Sequence, residues 1–374
     1  MPNFKINKSD LIKGLNIVGP AITSNPKNPL MTNVLIDAAK EALVLTGTNG
    51  DSSIQCSIPA DDMTGYVCVQ EGKLAVPGTY FTESIKTTNK EEIEVFTDGN
   101  MCRIKTGKGG MKLNCVDVNQ FPDISFESNG TTFTMKKGEL SNIINKTVFA
   151  VSNQVSRPVL TGVNFKIDAG TLVCTATDSY RLSKIIQLIP FEDGINVTIP
   201  SKSLQILNKV MLGDSENEVA ITLDSRSAMF KDDNAIIKVA LLDGTYPETS
   251  RLVPTEFNHI LTFDKKTMID TFNRGMFLKS DGYSIFKLHL SEGESIISSK
   301  SSEVGEFRDV LENSTFEGSP LDISVNGQYI IDALKAFDCD TIVCKFVGDM
   351  KPFIFIDPEN DSILELTLPV RTYN

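Results

Sequence analysis

The chain has 374 residues, of which 41% are hydrophobic and 22% charged, and a formal net charge of −12. At roughly 100–200 residues per domain, this length predicts two to four domains of ordinary globular composition. No apolar run approaches the roughly 20 residues that span a bilayer, and the opening MPNFKINKSD has no apolar segment of the kind a secretory leader carries, so a cytoplasmic protein with no membrane partner is expected.

In chain order, the first predicted unit is FKINKSDLIKGLNIV from Phe4, a short alternating strand followed by a helix with apolar residues at three-to-four spacing. The same pattern returns as FTMKKGELSNIINKTV from Phe133 and LTFDKKTMIDTFNRGM from Leu261, at offsets of 129 and 128 residues. A second strand–turn–helix recurs within each unit, as LAVPGTYFTESIKTT, VTIPSKSLQILNKVM and ISVNGQYIIDALKAF. Pro122 of VNQFPDISF and Pro247 of DGTYPETSRL lie 125 residues apart and close two of the units alike. Between the helices run strand patterns separated by turn residues, such as ALVLTGTNGDSSIQCSI and EVAITLDSRSAMFKDDNAIIKVALL. Constant phase at several landmarks predicts triplication. The expected fold is α+β: three similar domains at 1–127, 128–254 and 255–374, each with two helices and roughly eight strands.

The chemistry-bearing residues are sparse. Cys56, Cys68, Cys102, Cys115, Cys174, Cys339 and Cys344 contain no CxxC pair and sit in runs such as YVCVQ and TIVCKF, which predicts buried, reduced thiols. The two histidines, His259 and His289, lie far from any cysteine in sequence, so no zinc site is expected. There is no GxSxG, GxxxxGK[ST] or GxGxxG, and GKGG at 107–110 reads as a hairpin turn. No catalytic residue, metal or cofactor is expected.

Six helices are expected at 7–19, 78–88, 136–148, 201–211, 264–276 and 327–337. They carry Lys8, Lys13, Lys86, Lys136, Lys137, Lys146, Lys202, Lys209, Lys265, Lys266, Arg274 and Lys335 against six acids, so the helices sum to +6 and the rest of the chain to −18. Helices gathered on one face would make that face positive on an acidic protein, and these twelve residues are the candidates to face a nucleic acid, the alternative being that helix surfaces simply carry more lysine. The chain has no Trp, no stacking platform of aromatic and basic residues, and no basic recognition helix. Any nucleic-acid contact should therefore be to phosphate, without sequence preference and sensitive to salt.

One polar cluster stands out. TATDSYRLS, residues 175–183, brings Asp178, Tyr180 and Arg181 together between two apolar runs. A hydrolase or lyase would need a second acid or base converging on them, and none is evident; Asp178 is instead expected to order the turn. A sequence-specific DNA-binding protein is the other alternative, and the missing recognition helix disfavours it.

With TATDSYRLS, LLDGTYPETSRLVP, VNGQYIIDAL, GDMKPFIFI and the terminal LTLPVRTY, the whole chain resembles the bacterial DNA polymerase III beta subunit, the sliding clamp family. The resemblance implies a head-to-tail homodimer closing a ring of six similar domains around duplex DNA. It implies no catalysis, but tethering of the polymerase for processivity. Met111 and Leu113 of GGMKLNC would lie on one side of the dimer interface, and Phe277 and Leu278 of GMFLKS on the other. It further implies an apolar groove between the second and third domains that takes short peptides of the DNA polymerase III alpha subunit, the clamp loader and repair proteins. Carried over residue by residue, that groove comprises Leu160, Thr177, Ser179, Tyr180, Arg181, Leu182, Pro247, Arg251, Leu252, Tyr283, Asn326, Tyr329, Met350, Pro352, Leu366, Leu368, Pro369, Val370 and Arg371. The chain departs from the family in having Ser179 where glycine is common and Tyr180 where histidine is common. NPKNPL, residues 25–30, lacks the arginine many members place near a pore-side loop, leaving Lys27 as the basic residue there.

Overall fold

The computed structural model describes residues 2–22, 28–106, 109–213, 215–279 and 282–371. Lys27, and Gly107 and Lys108 of the expected hairpin turn, lie outside the described residues. All six helices are present: α1 (Lys8–Val18), α2 (Gly78–Lys86), α3 (Lys137–Asn145), α4 (Ser201–Val210), α5 (Lys265–Gly275) and α6 (Gly327–Lys335). Twenty-six strands accompany them among the described residues, and all are paired antiparallel.

The chain divides into two compact units. One comprises residues 1–141 and 202–241, the other residues 142–201 and 242–374, so the division falls within α3 and at the first residue of α4. The first unit contains a five-stranded sheet in the order Val67–Gln70, Asn3–Asn7, Glu92–Asp98, Met101–Thr106, Gly109–Asn114. It also contains an eight-stranded sheet in which Ala235–Ala240 pairs with Ser52–Pro59, joining strands of the second sequence repeat to those of the first. The second unit contains a four-stranded sheet edged by Gly305–Val310 and a nine-stranded sheet. In the latter, Arg181–Leu188 pairs with Ile363–Thr367, joining the second repeat to the third. The two junctions are equivalent, since Ser52 and Arg181 differ by 129 and Ala235 and Ile363 by 128. The repeats are thus joined by ladder hydrogen bonds as well as by the chain.

The helices form where period 3.6 buries one stripe. α1 buries Leu11, Gly14, Leu15 and Val18, and α5 buries Met268, Thr271, Phe272 and Gly275. Asp264 caps α5 by accepting from the Thr267 N–H at 2.7 Å, and Asn326 caps α6 by accepting from Gln328 N–H at 3.0 Å. α3 stops short of the expected 148: the Thr147 hydroxyl bonds the Ile143 carbonyl at 2.7 Å, and a 3-10 turn, Val148–Ala150, follows. Lys8 Nζ donates to the Thr88 carbonyl past the end of α2, and Lys265 Nζ to the Phe337 carbonyl past α6 at 3.0 Å. Each satisfies an orphan carbonyl at a helix C-terminus and pins the helix pair.

In the second unit, the fully buried Phe286 meets Phe272 edge-on with centroids 4.8 Å apart. Gly275 and Gly327 leave room for its ring, since a Cβ at either would lie 2.7 Å or 2.5 Å from it. Gly327→Ala should therefore overpack this core at a cost of about 1–3 kcal/mol, read as a lower denaturation midpoint. Wild-type stability in that variant would show that the ring can give way.

Candidate functional site

The turn between strands Thr171–Thr177 and Arg181–Leu188 is built by side chains bonding its own backbone. Asp178 Oδ1 accepts from the Tyr180 N–H at 2.9 Å and the Arg181 N–H at 3.0 Å. The Thr177 hydroxyl accepts from Ser179 N–H and donates to the Arg181 carbonyl at 2.6 Å. Asp178 orders the turn, as its residue type predicts. The same wiring occurs 129 residues earlier: Asn49 Oδ1 accepts from Asp51 and Ser52 N–H, and Thr48 Oγ1 from Gly50 N–H. There the left-handed position is a glycine, Gly50 at φ 92°; in the second repeat it is Ser179 at φ 78°. A serine holds this conformation at a cost of about 1–2 kcal/mol, which the surrounding bonds offset.

Arg181 is the hub of the site. Its Nε donates to Asp178 Oδ2 at 3.0 Å, Nη1 to Asp332 Oδ2 at 2.6 Å and Nη2 to the Phe149 carbonyl at 2.6 Å. Its guanidinium lies 4.4 Å from the Tyr329 ring centroid and 5.4 Å from that of Phe149, so it is held by both charge and π faces. Asp332 is held in turn by Gln328 Nε2 at 2.7 Å. Burial and the Asp178 charge raise the Tyr329 phenol pKa, with Arg181 opposing. Both carboxylates are engaged by one arginine, so neither is a free base for chemistry.

Beside this hub lies a cavity of about 740 Å³ lined by Tyr180, Arg181, Tyr283, Asn326, Tyr329, Leu368, Pro369, Val370 and Arg371, among others. Because strand side chains alternate, Leu182 points to the opposite face from Arg181 and Ser183. It pairs with Leu366, which pairs with Ile354, and the three form a buried floor packed by Val253, Phe257, Ile356, Leu364 and Leu368. A second cavity of about 530 Å³ includes Leu182 and Pro247. Leu368 lines the first cavity and packs on the floor. Leu160 and Thr177 are buried, and Ser179, Arg251, Leu252 and Met350 are exposed. These six and Pro352 line neither cavity. Phe149, Tyr246, whose hydroxyl accepts from Thr177 N–H at 3.0 Å, and Asp332 complete the site unannounced by their local sequence.

Beneath the floor is a buried acid. Glu365 is 2% exposed. Burial raises its pKa well above the usual carboxylate range, with the Ser183 contact, Arg181 and Lys146 opposing. Ser183 Oγ lies 2.6 Å from the Lys146 carbonyl oxygen and 2.7 Å from Glu365 Oε1. A hydroxyl has one proton and a carbonyl only accepts, so Ser183 shares its single proton between the Lys146 carbonyl and Glu365.

The twelve basic candidates separate. Lys8 and Lys265 are occupied by carbonyls, Lys137 pairs with Asp232 at 2.6 Å, and Lys146 pairs with Asp338. Lys13, Lys86, Lys136 and Arg274 pair with Asp10, Glu83, Glu216 and Asp309. Lys202, Lys209, Lys266 and Lys335 are exposed, with no ion pair among the described residues. Of the four expected interface residues, Met111 is 44% and Phe277 67% exposed, Leu113 is intermediate, and Leu278 is buried at 2%. All seven cysteines are unpaired. Burial raises the thiols of Cys56 to about 11 and Cys102 to about 12, and those of Cys174 and Cys344 well above the usual value. Among the described residues no group of three His, Cys, Asp or Glu side chains is placed to hold a metal, and no helix is long and apolar enough to cross a membrane.

A triplicated α+β chain whose main site is an apolar groove beside a fully engaged arginine is a binding scaffold. Family models for the DNA polymerase III beta subunit match it throughout: the N-terminal domain over residues 2–125, the central domain over 134–248 and the C-terminal domain over 250–371. It is 35% identical over 378 residues to the beta sliding clamp of Staphylococcus aureus, covering 100% of both proteins. With that of Halalkalibacterium halodurans it shares 34% over 382 residues, covering 99% of this chain and 100% of the other. The crystal structure of the DNA polymerase sliding clamp from Bacillus subtilis superimposes with a TM-score of 0.95 at 32% identity, covering 100% of both chains. The DNA polymerase III beta chain of Streptococcus pneumoniae does so with a TM-score of 0.95 at 31% identity, also covering 100% of both. The chain belongs to the DNA polymerase III beta subunit family, the bacterial sliding clamps, and consists of three tandem clamp domains.

The buried acid sets a pH dependence. A carboxyl whose folded pKa is raised contributes stability fully only below its unfolded pKa, near 4.3. That contribution is lost as pH rises toward the folded value. Glu365→Gln removes the effect, so the variant should gain stability relative to wild type as pH is raised from 5 to 8.5 in denaturant titrations. Parallel pH profiles would mean that Glu365 is already ionised in the folded chain.

Proposed function

We propose that the chain is a DNA sliding clamp: a homodimeric ring that encircles duplex DNA, tethers the replicative polymerase, and docks partners through the groove around Leu182 and Arg181. The observation that carries this is the groove itself: an apolar floor of Leu182, Ile354 and Leu366 and a cavity walled by Tyr180, Tyr283, Tyr329 and Arg181, on a chain that matches clamps over its full length. Apolar floor with a few fixed polar groups suits a short peptide with bulky apolar side chains. The domains run 1–127, 128–254 and 255–374. The partners are the DNA polymerase III alpha subunit, the clamp loader and repair proteins, in the cytoplasm.

Internal repetition supports ring closure. Two equivalent junctions join the repeats, Ser52–Pro59 with Ala235–Ala240 and Arg181–Leu188 with Ile363–Thr367. A third requires the strand one repeat before Ala235–Ala240 and the strand one repeat after Arg181–Leu188. These are Gly109–Asn114 and Gly305–Val310, each at an open edge of its sheet. Unlike edges of two copies then meet head to tail and close the pair, so that neither of these two edge strands is left unpaired. Met111 and Leu113 belong to the first edge strand and Phe277 to the same unit as the second.

The DNA contact is mechanical. Exposed lysines such as Lys202, Lys209, Lys266 and Lys335 touch phosphates without reading bases. A ring held by topology needs only weak, exchanging contacts, which permit sliding. Tethering raises the polymerase's effective concentration at the primer end.

Two variants separate the groove from the ring. Leu182→Ala should weaken a fluorescent peptide bearing two large apolar residues by about tenfold or more, while sedimentation still shows a dimer. Phe277→Asp should give monomers that bind the peptide normally. Unchanged peptide affinity in the first, or intact dimers in the second, would show that the corresponding surface is misassigned.

A further inference from the structure

The second cavity has two unlike ends. Leu182, Leu364 and Val253 belong to the apolar floor or pack on it, whereas Lys184, Asn164 and Asn196 make a polar shelf continuous with it. Lys184 is two residues beyond Leu182 on the same strand face, opposite Thr175 on one side and Leu364 on the other, so its stem starts about 7 Å from the floor residue. It is half-buried and forms no ion pair among the described residues. The acids lining the same cavity are otherwise placed. Glu248 accepts from Ser250 N–H at 3.0 Å and feels Lys166 and Arg251, and Asp168 lies at the far end of its strand, opposite Thr171.

On the inner face below, Arg181 is saturated by Asp178 and Asp332, and Lys146 by Asp338. The pseudo-equivalent place in the first unit has neither feature. Ser53 stands 129 residues before Leu182, and Gln55, before Lys184, is bonded to Thr46 Oγ1 at 3.4 Å. An unpaired ammonium beside an apolar floor therefore occurs at this junction and not at its twin.

We propose that Lys184 is a specificity-determining residue of the docking groove, selecting peptides that carry a carboxylate within two residues of their apolar anchor. The inference rests on the groove reading above. A half-buried cation next to a surface that a peptide will dehydrate gains from an incoming anion and loses when covered by a neutral chain, so discrimination follows from both attraction and desolvation.

The test uses the full-length dimer and synthetic fluorescent peptides with one leucine anchor and Asp or Asn two residues before or after it, measured by anisotropy at low and high salt. The wild type should favour one Asp peptide over its Asn counterpart by about three- to tenfold at low salt, and less at high salt. Lys184→Gln should abolish the preference and Lys184→Glu reverse it. Equal affinity for Asp and Asn peptides, or a preference that persists in Lys184→Gln, overturns the assignment. If in that case Leu182→Ala still weakens every peptide, the groove reading stands alone; if Leu182→Ala changes nothing, the groove reading falls with it.

Discussion

The rest of the structure depends on the strand pairing that joins one repeat to the next. Arg181–Leu188 and Ile363–Thr367 come from different repeats, yet their ladder makes them neighbours inside a nine-stranded sheet. That pairing places Leu182 opposite Leu366, which is the floor of the groove. The alternation of the same strand turns Arg181 and Ser183 to the other face, where they hold Asp332, Glu365 and the carbonyls of Phe149 and Lys146. The ladder that joins the repeats therefore also carries the floor of the proposed docking groove.

The twin junction carries different side chains. Where Leu182 faces Leu366, the first unit has Ser53 facing Lys238, and Lys238 Nζ bonds the carbonyls of Ser125 at 2.8 Å and Glu127 at 2.9 Å. The chain leaving the first repeat is thereby tied over that surface. The same turn wiring recurs at both junctions, with Ser53 and Gln55 in one where Leu182 and Lys184 stand in the other. Function here is a local property laid on a repeated scaffold.

Much of this was legible in the sequence. Helices and strands followed from their periods, and triplication from the constant spacing of Phe4, Phe133 and Leu261. Family resemblance places Tyr180, Arg181, Leu182 and Leu366 near one another; in the structure Leu182 pairs with Leu366 on the floor, while Tyr180 and Arg181 line the adjoining cavity. Long-range contacts were not legible. Nothing local in DALK marks Asp332 as a partner of Arg181, and summing helix charge cannot reveal that Lys137 and Lys146 are already paired. Glu365 left a trace: it interrupts ILELT, an apolar strand buried on both faces, where an acid must be buried. Leu278 and Phe277 are adjacent in sequence, yet Phe277 is exposed and Leu278 is buried, a difference that residue type alone does not announce.

In the proposed clamp, DNA is held by enclosure while individual lysine contacts stay weak. The most direct test is retention on nicked circular DNA after loading, followed by linearisation with a restriction enzyme. The account predicts stable retention on the circle and rapid loss once free ends exist, with little dependence of the first on moderate salt. Equal retention on linear DNA with open ends would contradict it, because binding would then be by affinity and not by a closed ring.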